Sequence, residues 1–186
     1  MEQMKIKITS SENLLKPPLD EQIIKGAIFI EDAPYALHVS NVTIHGKYHR
    51  EYKIIAFCIG LNINRVLIHG DLLIICLWSD ILIIDLIADK LLRVVPVADS
   101  GELLGIYKFK SGYFVNGELE NYFLNHNFEI VWQVGAIDIF SNSKVEKDLE
   151  IFEDYIVAWD WYGYKHYYNE SGEFKTEHYP QYRMSD

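Results

Sequence analysis

Between Gly70 and Val97 the chain alternates short apolar blocks with polar pairs: "DLLIICLW", then "SD", "ILIIDL", "IADK" and "LLRVVPV". A surface helix would space its apolar residues by three and four positions. Here they are continuous over five to eight positions and then interrupted, as expected of strands buried on both faces. Isoleucine and valine are stiff at the β-carbon and pack well on a pleated surface. The tract therefore predicts three strands joined by tight turns.

Two later tracts repeat the plan. "GYFVNGELENYFLNHNFEIVWQV", from Gly112, predicts a strand, an Asn116-Gly117 turn, a strand, an Asn-rich turn at 125–127 and a strand. Asn-Gly between apolar runs is a strong hairpin signal, because both residues tolerate positive φ. "DYIVAWDWYGYKHYYNESGEF", from Asp154, predicts strands around turns at "DWYG" and "NESG". The three starts, Asp71, Gly112 and Asp154, lie 41 and 42 residues apart. The intervals "ELLGIYKF" and "AIDIFSNSKVEKDLEIF" supply a further strand before each unit. A less regular fourth unit begins near Gly26 with "GAIFIED", "YALHVSN" and "EYKIIAFCIG". Four short antiparallel strands per unit of this length is the habit of propeller blades, which bury their faces only by stacking.

The segment "NYFLNHNFEIVWQV" resembles the end of a pyrroloquinoline-quinone-type or WD-type blade, with Trp132 at the tryptophan position. It departs from that pattern in lacking a glycine at 125–128, whereas the last unit has Ser171-Gly172. The resemblance implies architecture and carries no cofactor or activity. The expected fold is all-β, an antiparallel meander of repeated four-stranded units of about 42 residues, propeller-like. The alternative is a β-sandwich or open barrel. Residues 1–25 are expected as an N-terminal strand and loop segment, because Pro17-Pro18 stops a helix, and residues 26–186 as one all-β domain.

Composition narrows the function classes. Hydrophobic residues make up 49 % of the 186 and aromatics 14 %, so a packed core is expected and disorder is not. A net charge of −10 repels phosphate backbones and argues against nucleic acid. It would steer a basic partner toward the protein. Three acids, Asp80, Asp85 and Asp89, interrupt the greasiest stretch and argue against a membrane span. The N-terminal residues lack the apolar run of a signal peptide, so a cytoplasmic chain is expected. Cys58 and Cys76 lie among aliphatics, a setting that favours buried free thiols over a disulfide.

Candidate chemistry is sparse. His38, His45 and His49 fall within twelve residues, but no companion spacing supplies further metal ligands, so no metal and no cofactor are expected. Glu118 and Glu120 alternate along one side of a predicted strand, an arrangement that either perturbs both carboxyls or marks a solvent-facing edge. Asp138 and Asp160 lie between apolar residues, which would desolvate a carboxylate or employ it as a turn cap. There is no nucleophile elbow, Walker loop or dinucleotide fingerprint.

The aromatics from Trp159 to Tyr168 suit either the packing of the last sheet or an interface. The interface candidates are Glu118, Glu120, Asp160, Trp161, Tyr162, Tyr164 and His166. These features point to a non-catalytic, protein-binding module of inhibitor or immunity type that takes a basic protein partner. The alternatives are a hydrolase using Glu118, Glu120, Asp138 and Asp160, aided by a metal near His45 and His49, and a scaffold subunit with exposed strand edges.

Overall fold

Runs of branched aliphatics cut by Gly, Asn, Asp and Ser become strands and tight turns throughout. The computed structural model describes residues 5–12, 27–29, 38–56, 61–135, 138–140 and 149–178. The chain divides into two units, Met1–Val94 and Val95–Asp186. Among the described residues the single helical piece is a 3₁₀ turn, Ile63–Arg65.

The first unit holds two four-stranded sheets. One contains β1 (Lys5–Glu12), β2 (Ala27–Phe29), β3 (His38–His45) and β4 (Arg50–Ala56), in the order β1-β3-β4-β2. Its β2 runs parallel to β4, which explains why this stretch was the least regular in sequence. Strand β1 pairs with β3 from Lys5↔His45 to Glu12↔His38, so the N-terminal segment is part of a sheet at least as far as residue 12. Residues 13–26, with the expected proline loop and the boundary at residue 25, lie outside the described residues.

The other sheet is a plain meander of β5 (Val66–His69), β6 (Leu72–Leu77), β7 (Asp80–Asp85) and β8 (Lys90–Pro96). The two sheets share a core in which Val42, Ile44, Tyr52 and Ile54 meet Leu73, Ile75, Leu82 and Ile84. At one end polar side chains bridge the sheets. Lys47 Nζ and Tyr48 Oη donate to Asp71, and Tyr52 Oη donates to Asp89 at 2.8 Å. Those bonds hold the Asp71 carboxyl below its usual range, Tyr48 contributing most.

The second unit repeats the meander twice. One sheet is β9 (Leu103–Phe109), β10 (Gly112–Gly117), β11 (Glu120–Leu124) and β12 (Ile130–Gly135). The next is β13 (Leu149–Ile151), β14 (Ile156–Trp159), β15 (Tyr164–Asn169) and β16 (Gly172–His178). The period expected from sequence is present, but its phase differs. Asp71, Gly112 and Asp154 mark the approach to the second strand of each sheet, because β5, β9 and β13 come first.

The core of this unit is aromatic. Trp132 stacks on Tyr168 with centroids 5.6 Å apart and on Phe123 at 5.9 Å, and its Nε1 donates to the Glu170 carbonyl at 3.0 Å. The tryptophan of the blade-like segment thus joins two sheets from within. Phe114, Phe140, Ile156 and Ala158 complete the cluster.

The expected Asn116-Gly117 turn is displaced. Both residues belong to β10, and Asn116 is in register with Asn121. Asn116 is buried, and its Nδ2 donates to Asn121 Oδ1 at 2.8 Å while Asn121 Nδ2 reaches Tyr168 Oη at 3.2 Å. Paired asparagines satisfy each other inside the sheet, so the reversal moves on to Glu118 and Leu119. Burial raises the Tyr168 hydroxyl above its usual range, against a smaller opposing effect of the Asn121 bond.

Two outcomes follow from this packing. A Cβ at Gly112 would run into the Leu124 carbonyl oxygen of the neighbouring strand. Gly112→Ala is therefore expected to lower stability by about 2 kcal/mol or more, read as a shifted denaturation midpoint. Cys76 is free and fully buried, and burial pushes its thiol up to about 12. Mass mapping after alkylation at neutral pH should find Cys76 unmodified in the native protein and modified in denaturant. Cys58 lies outside the described residues.

Candidate functional site

The turn after β14 is built from "DWYG". The Asp160 N–H donates to the Tyr164 carbonyl at 3.1 Å, and the Gly163 N–H donates to the Asp160 carbonyl at 3.0 Å. Asp160 Oδ1 accepts the Tyr164 N–H at 2.9 Å, and Gly163 adopts φ 84°. An aspartate that satisfies its own turn and a glycine in the left-handed region are the ordinary chemistry of such reversals. The effect is to push Trp161 and Tyr162 outward, 37 % and 47 % exposed.

Three further segments join this turn through backbone bonds. Trp161 N–H donates to the Ile139 carbonyl at 2.9 Å, and Phe140 N–H donates to the Glu118 carbonyl at 2.7 Å. The Glu118 N–H in turn donates to the Glu102 carbonyl at 2.7 Å. Residues 97–102, 117–120, 138–140 and 160–163 therefore lie side by side at one end of the second unit. They carry Asp99, Glu102, Glu118, Glu120, Asp138 and Asp160 and no lysine or arginine. Leu119, 39 % exposed, adds apolar area. The Tyr164 ring lies tilted against His178, with centroids 4.6 Å apart, at the same end.

Beneath the surface lies a polar cluster. Asp160 is 0 % exposed and His166 3 %. His166 Nε2 is 3.2 Å from Asp160 Oδ2, and Nδ1 is 2.8 Å from Glu173 Oε1. Thr176 Oγ1 donates to the same Glu173 oxygen at 2.5 Å. The Phe140 ring meets the imidazole edge-on, centroids 5.3 Å apart.

Of the residues singled out from sequence, Glu118, Glu120, Trp161, Tyr162 and Tyr164 come to one end of this unit. Asp160 and His166 are buried below them, so they support that surface and do not form it. Glu118 is in the turn and not alternating with Glu120 along a strand. Glu120 opens β11 and accepts the Tyr122 hydroxyl at 2.7 Å. Asp138 Oδ1 accepts the Ile139 N–H at 2.7 Å. Of the four carboxylates of the hydrolase alternative, Glu120, Asp138 and Asp160 are thus committed to separate local partners, and Glu118 is held in its turn by main-chain bonds.

His45 ends β3 and His49 occupies the following turn with φ 44°, both exposed. His38 begins β3. Among the described residues no group of three or more His, Cys, Asp or Glu is placed to hold a metal ion. Leu119, Glu173 and Thr176 were not anticipated.

Four-stranded meander sheets repeated along the chain define a protein of propeller type, and solved structures agree. The CNH domain of AfRom2 superposes with a TM-score of 0.51 at 9 % identity, over 92 % of this chain and 54 % of its own. BBS1N, solved in complex with ARL6DN, gives 0.50 at 10 % identity over 78 % and 50 %. The computationally designed Ika8 protein gives 0.51 at 10 % identity over 76 % and 46 %. The first two are propeller-type proteins. This chain spans about half the length of each of these structures. No protein-family model and no curated protein sequence matches it. Among the described residues no helix is long and apolar enough to cross a membrane.

Support and surface separate in a pair of substitutions. Asp160→Ala removes the acceptor of both His166 Nε2 and the Tyr164 N–H, and should cost about 3 kcal/mol. Trp161→Ala, at a side chain facing water, should stay within about 0.5 kcal/mol. Denaturant unfolding of both variants measures the difference.

Proposed function

We propose that this chain is a non-catalytic protein-binding module whose acidic, aromatic end on the second unit receives a basic protein. The observation that carries this reading is the composition of the four joined segments: Asp99, Glu118, Glu120 and Asp138 outside the core, Glu102 and Asp160 buried beneath them, no basic side chain, and Leu119, Trp161 and Tyr162 turned toward water. Aromatic side chains on a preformed turn bury large area at small conformational cost. Surrounding carboxylates accelerate encounter with a positive surface. The loop ends of propeller sheets are suited to such contacts, and BBS1N is a propeller-type neighbour solved in complex with ARL6DN.

An inhibitor or immunity role suits this design, with charge speeding capture and the aromatics slowing release. A cytoplasmic location is part of the same proposal and rests on the acid-interrupted apolar tract at 72–92.

The test is kinetic, on purified small basic proteins, cationic nucleases first. The double variant Glu118→Lys/Asp138→Lys is expected to slow association about tenfold at low ionic strength, with the difference shrinking toward about 1 M salt. Trp161→Ala should instead raise the dissociation rate. Association that ignores both salt and charge reversal would remove the electrostatic basis of the proposal.

A further inference from the structure

The cluster under the acidic end has a proton count that its geometry constrains. A neutral imidazole carries one N–H and one bare lone pair, and an ionised carboxylate only accepts. Yet both ring nitrogens of His166 lie within hydrogen-bonding distance of carboxylate oxygens, at 3.2 Å from Asp160 and 2.8 Å from Glu173. With a neutral ring between two ionised acids, one of these contacts would set a lone pair against an anion. Burial makes that arrangement costly. One additional proton, on the ring or on an acid, turns both contacts into donor–acceptor pairs.

The groups facing the ring come from every element around it. Asp160 enters from the turn after β14, and Glu173 with Thr176 from β16. Phe140 packs edge-on from the 138–140 segment, and Tyr168 stacks from β15 itself with centroids 6.4 Å apart. Asp160 does two jobs: one oxygen faces His166 and the other accepts the Tyr164 N–H that closes the Trp161–Tyr162 turn.

We propose that Asp160, His166 and Glu173 share an extra proton that clasps this turn, so that Trp161 and Tyr162 keep their binding arrangement only while it is held. This regulation rests on the protein-binding reading for its purpose, but the clasp is a property of the free protein. Losing the proton while Nδ1–H stays on Glu173, the shorter contact, leaves a bare Nε2 facing the Asp160 carboxylate, which turns away and loosens its cap on the Tyr164 N–H. The clasp is therefore present at lower pH and released as pH rises.

Glu173→Gln provides the discriminating variant. Its amide N–H can donate to a bare Nδ1 while Nε2–H donates to Asp160, so a neutral imidazole satisfies both neighbours and the extra proton is no longer needed. The experiment is a ¹H–¹⁵N spectrum of the His166 ring in the unbound protein from about pH 5 to about pH 9, the interval in which histidine sites commonly titrate. The cluster in the natural sequence should lose one proton with rising pH, accompanied by shifts of the Trp161 indole and Tyr162 amide signals. In Glu173→Gln those two signals should stay flat over the same interval.

A natural-sequence cluster that neither gains nor loses a proton over that interval overturns the proposal. So does proton loss that leaves Trp161 and Tyr162 unmoved. Because no partner is present, either failure leaves the binding reading standing. Conversely, failure to find a basic partner leaves the clasp intact.

Discussion

Everything in this molecule depends on the fact that an apolar sheet cannot be left with its faces in water. Leu73, Ile75 and Leu77 on β6 and Leu82 and Ile84 on β7 are covered by the β3–β4 hairpin. Phe114 and Phe123 are covered by the sheet that holds Ile156, Ala158 and Tyr168. Each covered Leu or Ile side chain contributes about 1.5–3 kcal/mol relative to exposure, far more than any single surface ion pair. Lys47 and Tyr48 on Asp71, and Lys110 on Asp154, therefore trim the alignment of turns that the core has already brought together.

The two units satisfy this constraint with different chemistry. Aliphatic side chains fill the first, and they interlock without directional preference. Rings fill the second, where Trp132 lies nearly parallel to Tyr168, with 11° between their planes. Rings bring polar handles, and those handles need partners. The indole N–H finds the Glu170 carbonyl and the Tyr168 hydroxyl finds Asn121. The buried asparagine pair and the buried histidine belong to the same unit, so its interior is the more exacting of the two.

Strand and turn positions were readable wherever a local rule decides them. The "NESG" turn and the strands around it follow from alternation and turn chemistry alone, whereas the turn expected at "SD" falls one residue earlier, on Trp78 and Ser79, because Asp80 opens β7 opposite Leu77. The phase of the repeat was not readable, because a period looks the same from any strand it is counted from. Asn116-Gly117 misled for a different reason. A pair favoured in tight turns was outbid by the buried Asn116–Asn121 bond, a cross-strand contact invisible to a local rule. The surface at Trp161 and Tyr162 was legible as exposed-capable aromatics, whereas the support under it was not. The β15–β16 ladder shifts register between Tyr167 and Tyr168, which sets Thr176 opposite His166 and brings Glu173 within reach of the ring. A one-residue irregularity of this kind leaves no mark in composition or spacing.

The chain of bonds from Glu102 through Glu118 and Phe140, and from Ile139 to Trp161, is made by main-chain atoms alone. Peptide groups pair without regard to the residues that bear them. The outward side chains at 118, 119, 161 and 162 are consequently decoupled from the geometry that displays them. Natural divergence or a randomised library could rewrite this face for a new target while its platform stays in place.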